Sequence, residues 1–119
     1  GKFALSKGMI TRARKVISLD HIELFLCSNE DVFLFKTMTD WVGDLTDCEG
    51  LVKSAVDWKI VLGELKNQIL ESKQNVWIIW VGERLDLLED RGMVIPIMEE
   101  INRLREVYFL ELEKKFIII

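Results

Sequence analysis

The chain has 119 residues, of which 50% are apolar and 30% are charged, and this composition is typical of one folded globular domain. Acids and bases are interspersed and the net charge is −4, so the sequence lacks the basic balance that makes nucleic-acid binding plausible. Every apolar run is too short to cross a membrane, and basic residues interrupt the region where a signal peptide would lie. We therefore expect residues 1–119 to form a single cytoplasmic domain.

The N-terminal part of the sequence predicts a short helix followed by a β-hairpin. Gly8–Lys15 is a basic segment with helical character. Ile22, Leu24 and Leu26 alternate with other residues over Ile22–Cys27, a period of two that indicates a strand. Asp20 fits a turn that connects this strand to another over Val16–Leu19. Because an isolated hairpin is marginally stable in water, we expect it to pack on the helices or to join a sheet from another source.

Two helices are predicted in the next part of the chain. Ser28 is expected to cap the first, which has two acidic residues in its first turn and runs to about Asp40. Gly43 is expected to break or bend this helix. The second helix is predicted from Asp44 to about Ser54, with its apolar residues on one side.

A helical periodicity is also clear in the second half of the sequence. Asp57 is the predicted N-cap of a helix over Trp58–Ser72, where apolar residues recur at alternating spacings of three and four. Asn75 is the predicted cap of the following helix over Val76–Arg91.

The start of the last helix is predicted from a glycine that ends the preceding helix and a proline that favours a helix start. Gly92 follows the preceding helix at the position where a left-handed residue often ends a helix. Pro96 fits the first position of the next helix, which continues through Tyr108. The sequence therefore predicts an α+β fold that is predominantly α-helical, with about five helices and a short N-terminal strand pair.

Two features of the sequence suggest a protein partner or a homo-oligomer. The first is a set of tryptophans that is large for this length: Trp41, Trp58, Trp77 and Trp80. Large aromatic residues contribute strongly to cores and to interfaces alike. The second is the apolar C-terminal tail Phe116–Ile119, which would pack either on the core of the chain itself or on another chain.

Few residues carry recognisable chemistry. Cys27 and Cys48 have no second cysteine or histidine at the spacing of a zinc site, so we expect two free thiols and no metal held by these residues. Asp44 and Asp47 are three residues apart and so share one face of a helix. Lys36 lies among apolar residues and needs an anionic partner, either these acids across the helix bend or the phosphate of a substrate.

A second acidic set, Glu83, Asp86 and Asp90, resembles part of the ribonuclease III signature E-R-L-E-F-L-G-D, whose acids bind metal. The glycine of that signature is Glu89 here, and the second acidic pair of that family, D-x-x-E, has no counterpart downstream. The resemblance implies a metal-dependent nuclease, and an ordinary amphipathic helix produces a match of this kind easily.

A longer series of motifs resembles the C-terminal part of archaeal nucleotidyltransferase-like proteins, of the AbiEii-like branch of the DNA polymerase β-type superfamily. Leu5–Ala13 is similar to L-S-x-x-M-x-x-R-A, and Glu30–Lys36 is similar to E-D-[IL]-F-L-x-K. Gly43–Asp47 is similar to the end of R-x-x-D-[IL]-x-D, although Trp41 replaces its arginine. The order of these motifs extends over most of the chain.

The resemblance implies roles for Lys36, Asp44 and Asp47 beside a site that uses Mg²⁺ and a nucleoside triphosphate. The family binds metal and nucleotide through a G-S turn and a D-x-D strand, and residues 1–119 contain neither element. We therefore expect a catalytically incomplete chain that acts as a structural or interaction module beside an antitoxin-like or catalytic partner.

The sequence also allows two alternatives. One is a nucleotidyltransferase completed by another chain, which predicts an open sheet edge at Ile22–Leu26 and a cleft where Lys36, Asp44 and Asp47 converge. The other is the metal-dependent nuclease, which predicts its three acids in a concave site. The module alternative predicts no metal-dependent stabilisation by nucleotide.

Overall fold

The computed structural model describes residues 5–38 and 42–115, which form six helices and a two-stranded antiparallel sheet. The predicted class, α+β and predominantly helical, is confirmed. The elements in chain order are α1 (Lys7–Arg12), β1 (Arg14–Leu19), β2 (Ile22–Leu26), α2 (Asn29–Thr37), α3 (Val42–Lys53), α4 (Trp58–Ser72), α5 (Trp77–Asp90) and α6 (Met98–Lys115).

Side-chain caps begin three of the helices. Ser28 Oγ accepts a hydrogen bond from the backbone N–H of Asp31, and a carboxylate oxygen of Asp57 accepts one from Lys59, as the sequence predicts. Ser6 caps α1 in the same way. The prediction for Asn75 is wrong, because α5 begins one residue later, after Val76, with no side-chain hydrogen bond at its cap.

The structure corrects several other element boundaries. The first helix ends at Arg12, since the basic residues that follow belong to β1. Gly43 lies inside α3 and does not end a helix. A single glycine costs a helix only about 1 kcal/mol, which the packing of the apolar residues of α3 offsets. The prediction that Pro96 occupies the first position of the last helix is wrong, because Pro96 lies in the turn before α6. Gly92 has the expected positive φ of 90°.

The hydrophobic core lies among α2, α3, α4, α5 and α6. Its fully buried residues include Phe33 of α2, Leu65 of α4 and Leu85 of α5. Phe33 also packs edge-to-face on Trp58, with ring centroids 5.3 Å apart. Each helix therefore buries one apolar side, as the spacing of its apolar residues predicts.

The β-hairpin lies outside this core. Its strands pair from Arg14 opposite Leu26 to Leu19 opposite Ile22, and an irregularity between Lys15 and Ile17 leaves one extra residue in β1. All eleven strand residues are exposed. The expectation that the hairpin packs on the helices is therefore wrong, and the alternative that it joins a sheet from another source stays a prediction.

The structure bears in part on the predicted partner surfaces. Trp77 is buried and Trp58 packs against the core, whereas Trp80 is 46% exposed. Trp41 and the tail Phe116–Ile119 lie outside the described residues. Within the described part of the chain, no helix combines the length and the apolar character that crossing a membrane requires.

Candidate functional site

Lys36, Asp44 and Asp47 are brought together where α2 and α3 pack on each other. Lys36 Nζ donates to Asp44 Oδ1 at 3.2 Å and to Asp47 Oδ2 at 2.9 Å. Lys36 occupies the last turn of α2, and the two acids lie one turn apart on α3. The cluster is partly open to solvent, with Asp44 the most buried side chain of the three.

The electrostatics of this cluster favour a charged lysine. Hydrogen bonds from its ammonium to Asp47 and then to Asp44 raise the pKa of Lys36, while desolvation acts in the opposite direction. Two carboxylates therefore face one ammonium. The pairing links α2 to α3, and it leaves a phosphate group in competition with two carboxylates for the same ammonium.

Cys48 and Arg84 lie near the same cluster. Burial raises the pKa of the Cys48 thiol to about 12, the nearby Lys36 and Arg84 lower it, and the two aspartates add to the rise. The side chain of Arg84, on α5, is therefore within electrostatic range of the α2–α3 contact. A thiol held in its neutral form is a poor nucleophile, so Cys48 contributes packing here and not reactivity.

Glu83, Asp86 and Asp90 do not assemble into a recognisable metal site. Asp86 forms two hydrogen bonds with the guanidinium of Arg105, at 2.8 and 3.1 Å. Glu83 and Asp90 are exposed. Among the described residues, no group of three acids, cysteines or histidines is arranged to hold a metal ion. The nuclease hypothesis therefore gains no support from the geometry.

A second polar cluster, which the sequence reading missed, lies where α1, α2 and α4 meet. The guanidinium of Arg12 donates to both carboxylate oxygens of Asp31, at 3.1 and 2.6 Å, and to Glu64 Oε1 at 2.5 Å. Asp31 and Glu64 are buried, and Arg12 is about one-quarter exposed. The hydrogen bond to Asp31 is the main cause of a raised pKa for Arg12, so this side chain keeps its positive charge.

Other side chains complete the hydrogen bonding of this cluster. Ser6 donates to Glu64 Oε1 at 2.9 Å, Gln68 donates to Glu64 Oε2 at 3.0 Å, and Ser28 donates to Asp31 at 2.8 Å. No buried polar side-chain atom in the described residues lacks a partner. A buried and fully paired network of this kind fixes relative positions of helices. Its signal in the sequence was the pair Glu64 and Gln68 within the apolar stripe of α4.

Comparison with known proteins adds no relative. No protein-family model matches the chain, and neither the curated proteins nor the solved structures give a match. The resemblance to nucleotidyltransferase-like proteins therefore remains a prediction from the sequence motifs.

Proposed function

We propose that this chain is a nucleotidyltransferase-like C-terminal module that is catalytically incomplete and acts by binding another protein surface. The observation that carries this proposal is the hairpin: all eleven residues of β1 and β2 are exposed, and most of them are apolar. Exposed apolar surface of this extent is typical of interaction sites.

The contacts of Lys36, Asp44 and Asp47 support a structural role for these residues. They occupy the positions that, by the resemblance, would lie beside the nucleotide. Lys36 is already hydrogen-bonded to both Asp44 and Asp47, so a phosphate group would have to displace these carboxylates from the ammonium. The pairing stabilises the contact between α2 and α3. The resemblance implies that a nucleotide binds together with a divalent cation, and the family's metal-binding D-x-D element is absent from residues 1–119.

A second candidate is a nucleotidyltransferase completed by another chain. Two observations favour it. The described sheet contains only β1 and β2, so the outer edge of Ile22–Leu26 is open to another strand. In addition, Lys36, Asp44 and Asp47 converge as this hypothesis requires. Under this alternative, the added sheet supplies the metal-binding carboxylates and Lys36 moves onto a phosphate.

Thermal unfolding with Mg²⁺ and each nucleoside triphosphate separates these functions. The interaction-module proposal predicts no shift in Tm. The alternative predicts stabilisation of about 2.7 kcal/mol at a hundred times Kd, or several degrees for a domain of this size. A metal-dependent shift that is absent in Lys36→Ala and retained in the matched control Lys59→Ala would contradict the proposal and favour the alternative.

A further inference from the structure

One face of the hairpin is formed by five aliphatic side chains, and we name it the aliphatic face. The pairing of the strands places the members of this face directly across from one another or two residues apart. They are Ile17, Leu19, Ile22, Leu24 and Leu26. Each is between 43% and 62% exposed. Five contiguous aliphatic residues in this state form a patch that water does not solvate well.

The bulge in β1 is what gathers these residues on one face. Val16 is the extra residue, and it shifts the register so that Ile17 lies opposite Leu24. With regular pairing, Ser18 would take a position on the aliphatic face and Ile17 would leave it, because a one-residue slip turns every side chain over. Bulges are specific features of a sheet, so the concentration of aliphatic residues is built into the hairpin.

The opposite face of the hairpin has a different character. Lys15 and Glu23 form an ion pair there at 3.6 Å, near Ser18. Phe25, on the same face, lines a cavity of about 280 Å³ together with Ile10 of α1. This face is therefore polar in its middle and lies beside α1 at its base, which leaves the aliphatic face as the open one.

The hairpin has little means of stabilising itself. Two-stranded sheets are at best marginally stable in water. The favoured two-residue hairpin turns need positive φ, and neither Asp20 nor His21 has it. A surface that covers the aliphatic face would supply the missing stabilisation.

Charged residues at the two ends of the hairpin indicate which kind of surface covers the aliphatic face. Arg14 is on the aliphatic face at the base of the hairpin, opposite Leu26, and Asp20 is in the turn at the far end. Neither forms an ion pair with another described residue. Six residue steps of about 3.3 Å separate them by roughly 20 Å along the strand. The hairpin therefore presents an apolar middle with a cation at one end and an anion at the other, a self-complementary pattern.

Building on the proposed interaction role, we propose that a second copy of this chain covers the aliphatic face. The two hairpins pack face to face in antiparallel orientation about a two-fold axis near the Ile17–Leu24 pair. Arg14 of each copy then lies beside Asp20 of the other, and the ten aliphatic side chains form a small two-sheet core. The polar face with Lys15 and Glu23 remains in water.

The size of the hairpin sets the strength of this association. Stable interfaces use roughly 20–30 residues from each partner, whereas the hairpin offers eleven strand residues. The dimer is therefore weak and reversible, and its population depends on protein concentration.

Sedimentation velocity over protein concentrations from about 1 μM to about 1 mM tests this proposal. We expect a monomer–dimer equilibrium that Leu24→Lys weakens by at least about a hundredfold, because a lysine would be buried against apolar residues. Leu70→Lys is the matched control, since Leu70 on α4 is 77% exposed and distant from the hairpin in sequence. A monomer at every concentration, or a dimer that Leu24→Lys leaves unchanged, would overturn the proposal.

A charge exchange tests the antiparallel arrangement. Arg14→Asp and Asp20→Arg are each expected to weaken the dimer roughly tenfold, because two-fold symmetry removes both ion pairs at once. The double variant restores the pairing with reversed charge and should recover most of the affinity. Failure of the double variant to recover would overturn this arrangement. A monomeric result leaves the nucleotide experiment above to decide the proposed function separately.

Discussion

Arg12 and Asp31 form a two-point ion pair, in which Nε donates to Oδ2 at 3.1 Å and Nη2 donates to Oδ1 at 2.6 Å. The same guanidinium reaches Glu64, so one side chain joins α1, α2 and α4. Asp31 and Glu64 are both buried, and their negative charges depend on this cation for compensation.

Removing the Arg12 cation is expected to destabilise the fold strongly. Arg12→Ala leaves two buried carboxylates without their cation, which costs about 3 kcal/mol or more. Arg103→Ala is the control, because Arg103 pairs with Glu100 at the surface and ion pairs of this kind contribute little to stability. Urea unfolding of both variants measures the difference. Equal losses in the two variants would show that Asp31 and Glu64 find compensation elsewhere.

Two glycines in helices provide a matched test of packing. Gly63 in α4 has open space around the position of a Cβ atom, so Gly63→Ala is expected to stabilise the protein by about 0.5–1 kcal/mol. A Cβ atom on Gly82 in α5 would lie 2.7 Å from Cδ of Arg105. Gly82→Ala therefore displaces the side chain that pairs with Asp86 and is expected to lose the gain in helix propensity.

Thermal unfolding of the two alanine variants at one pH checks this prediction. The expected order of Tm is Gly63→Ala above the unmodified protein, with Gly82→Ala at or below it. The same upward shift in both variants would mean that Arg105 moves away from Gly82 at no cost.

Glu100 is expected to make stability depend on pH in the acidic range. Hydrogen bonds from Arg103, and then from Lys66, lower the pKa of Glu100 from 4.5 to about 2. Because the pKa is lower in the folded state, the stabilisation is complete above pH 4.5 and is lost as the pH falls towards 2. In urea unfolding, the free-energy difference between the unmodified protein and Glu100→Gln should shrink across this window, and a constant difference would contradict the assignment.

The two cysteines are expected to differ in reactivity. Cys27 is exposed, whereas Cys48 is buried and burial raises the pKa of its thiol to about 12. A thiol reagent at neutral pH should therefore modify one cysteine rapidly in the folded protein and both in denaturant. Cys27→Ser should remove the rapid phase. Rapid modification of Cys48 in that variant would indicate that the core around α3 opens readily.

The helix α4 was predictable in full from its sequence. Asp57 provides the cap, and the apolar spacing continues without interruption to Ser72. Helix α5 has an equally clear apolar stripe, but its start was placed one residue too early, because Asn75 has the right chemistry for a cap and does not form the bond. Periodicity therefore predicted the helices, whereas a cap depends on backbone geometry that the sequence leaves open.

The candidate site was predictable only where its parts are near in sequence. Lys36 and Asp44 are eight residues apart, and their pairing was one of two alternatives that the sequence offered. Arg12 and Glu64 are 52 residues apart, and their contact depends on how α1 is placed on α4. The position of Glu64, with Gln68, within an apolar stripe was the local sign that this carboxylate needed a partner.

The Arg12–Asp31 pair also makes the hairpin a separable unit. Arg12 stands just before β1 and Asp31 just after β2, so the polypeptide leaves the helical body and returns to it at adjacent points. A segment whose ends meet in this way can be exchanged, lengthened or deleted while the flanking helices keep their places. Sequence change in the hairpin is thereby uncoupled from the packing of α2 to α6, and the two parts can diversify at different rates.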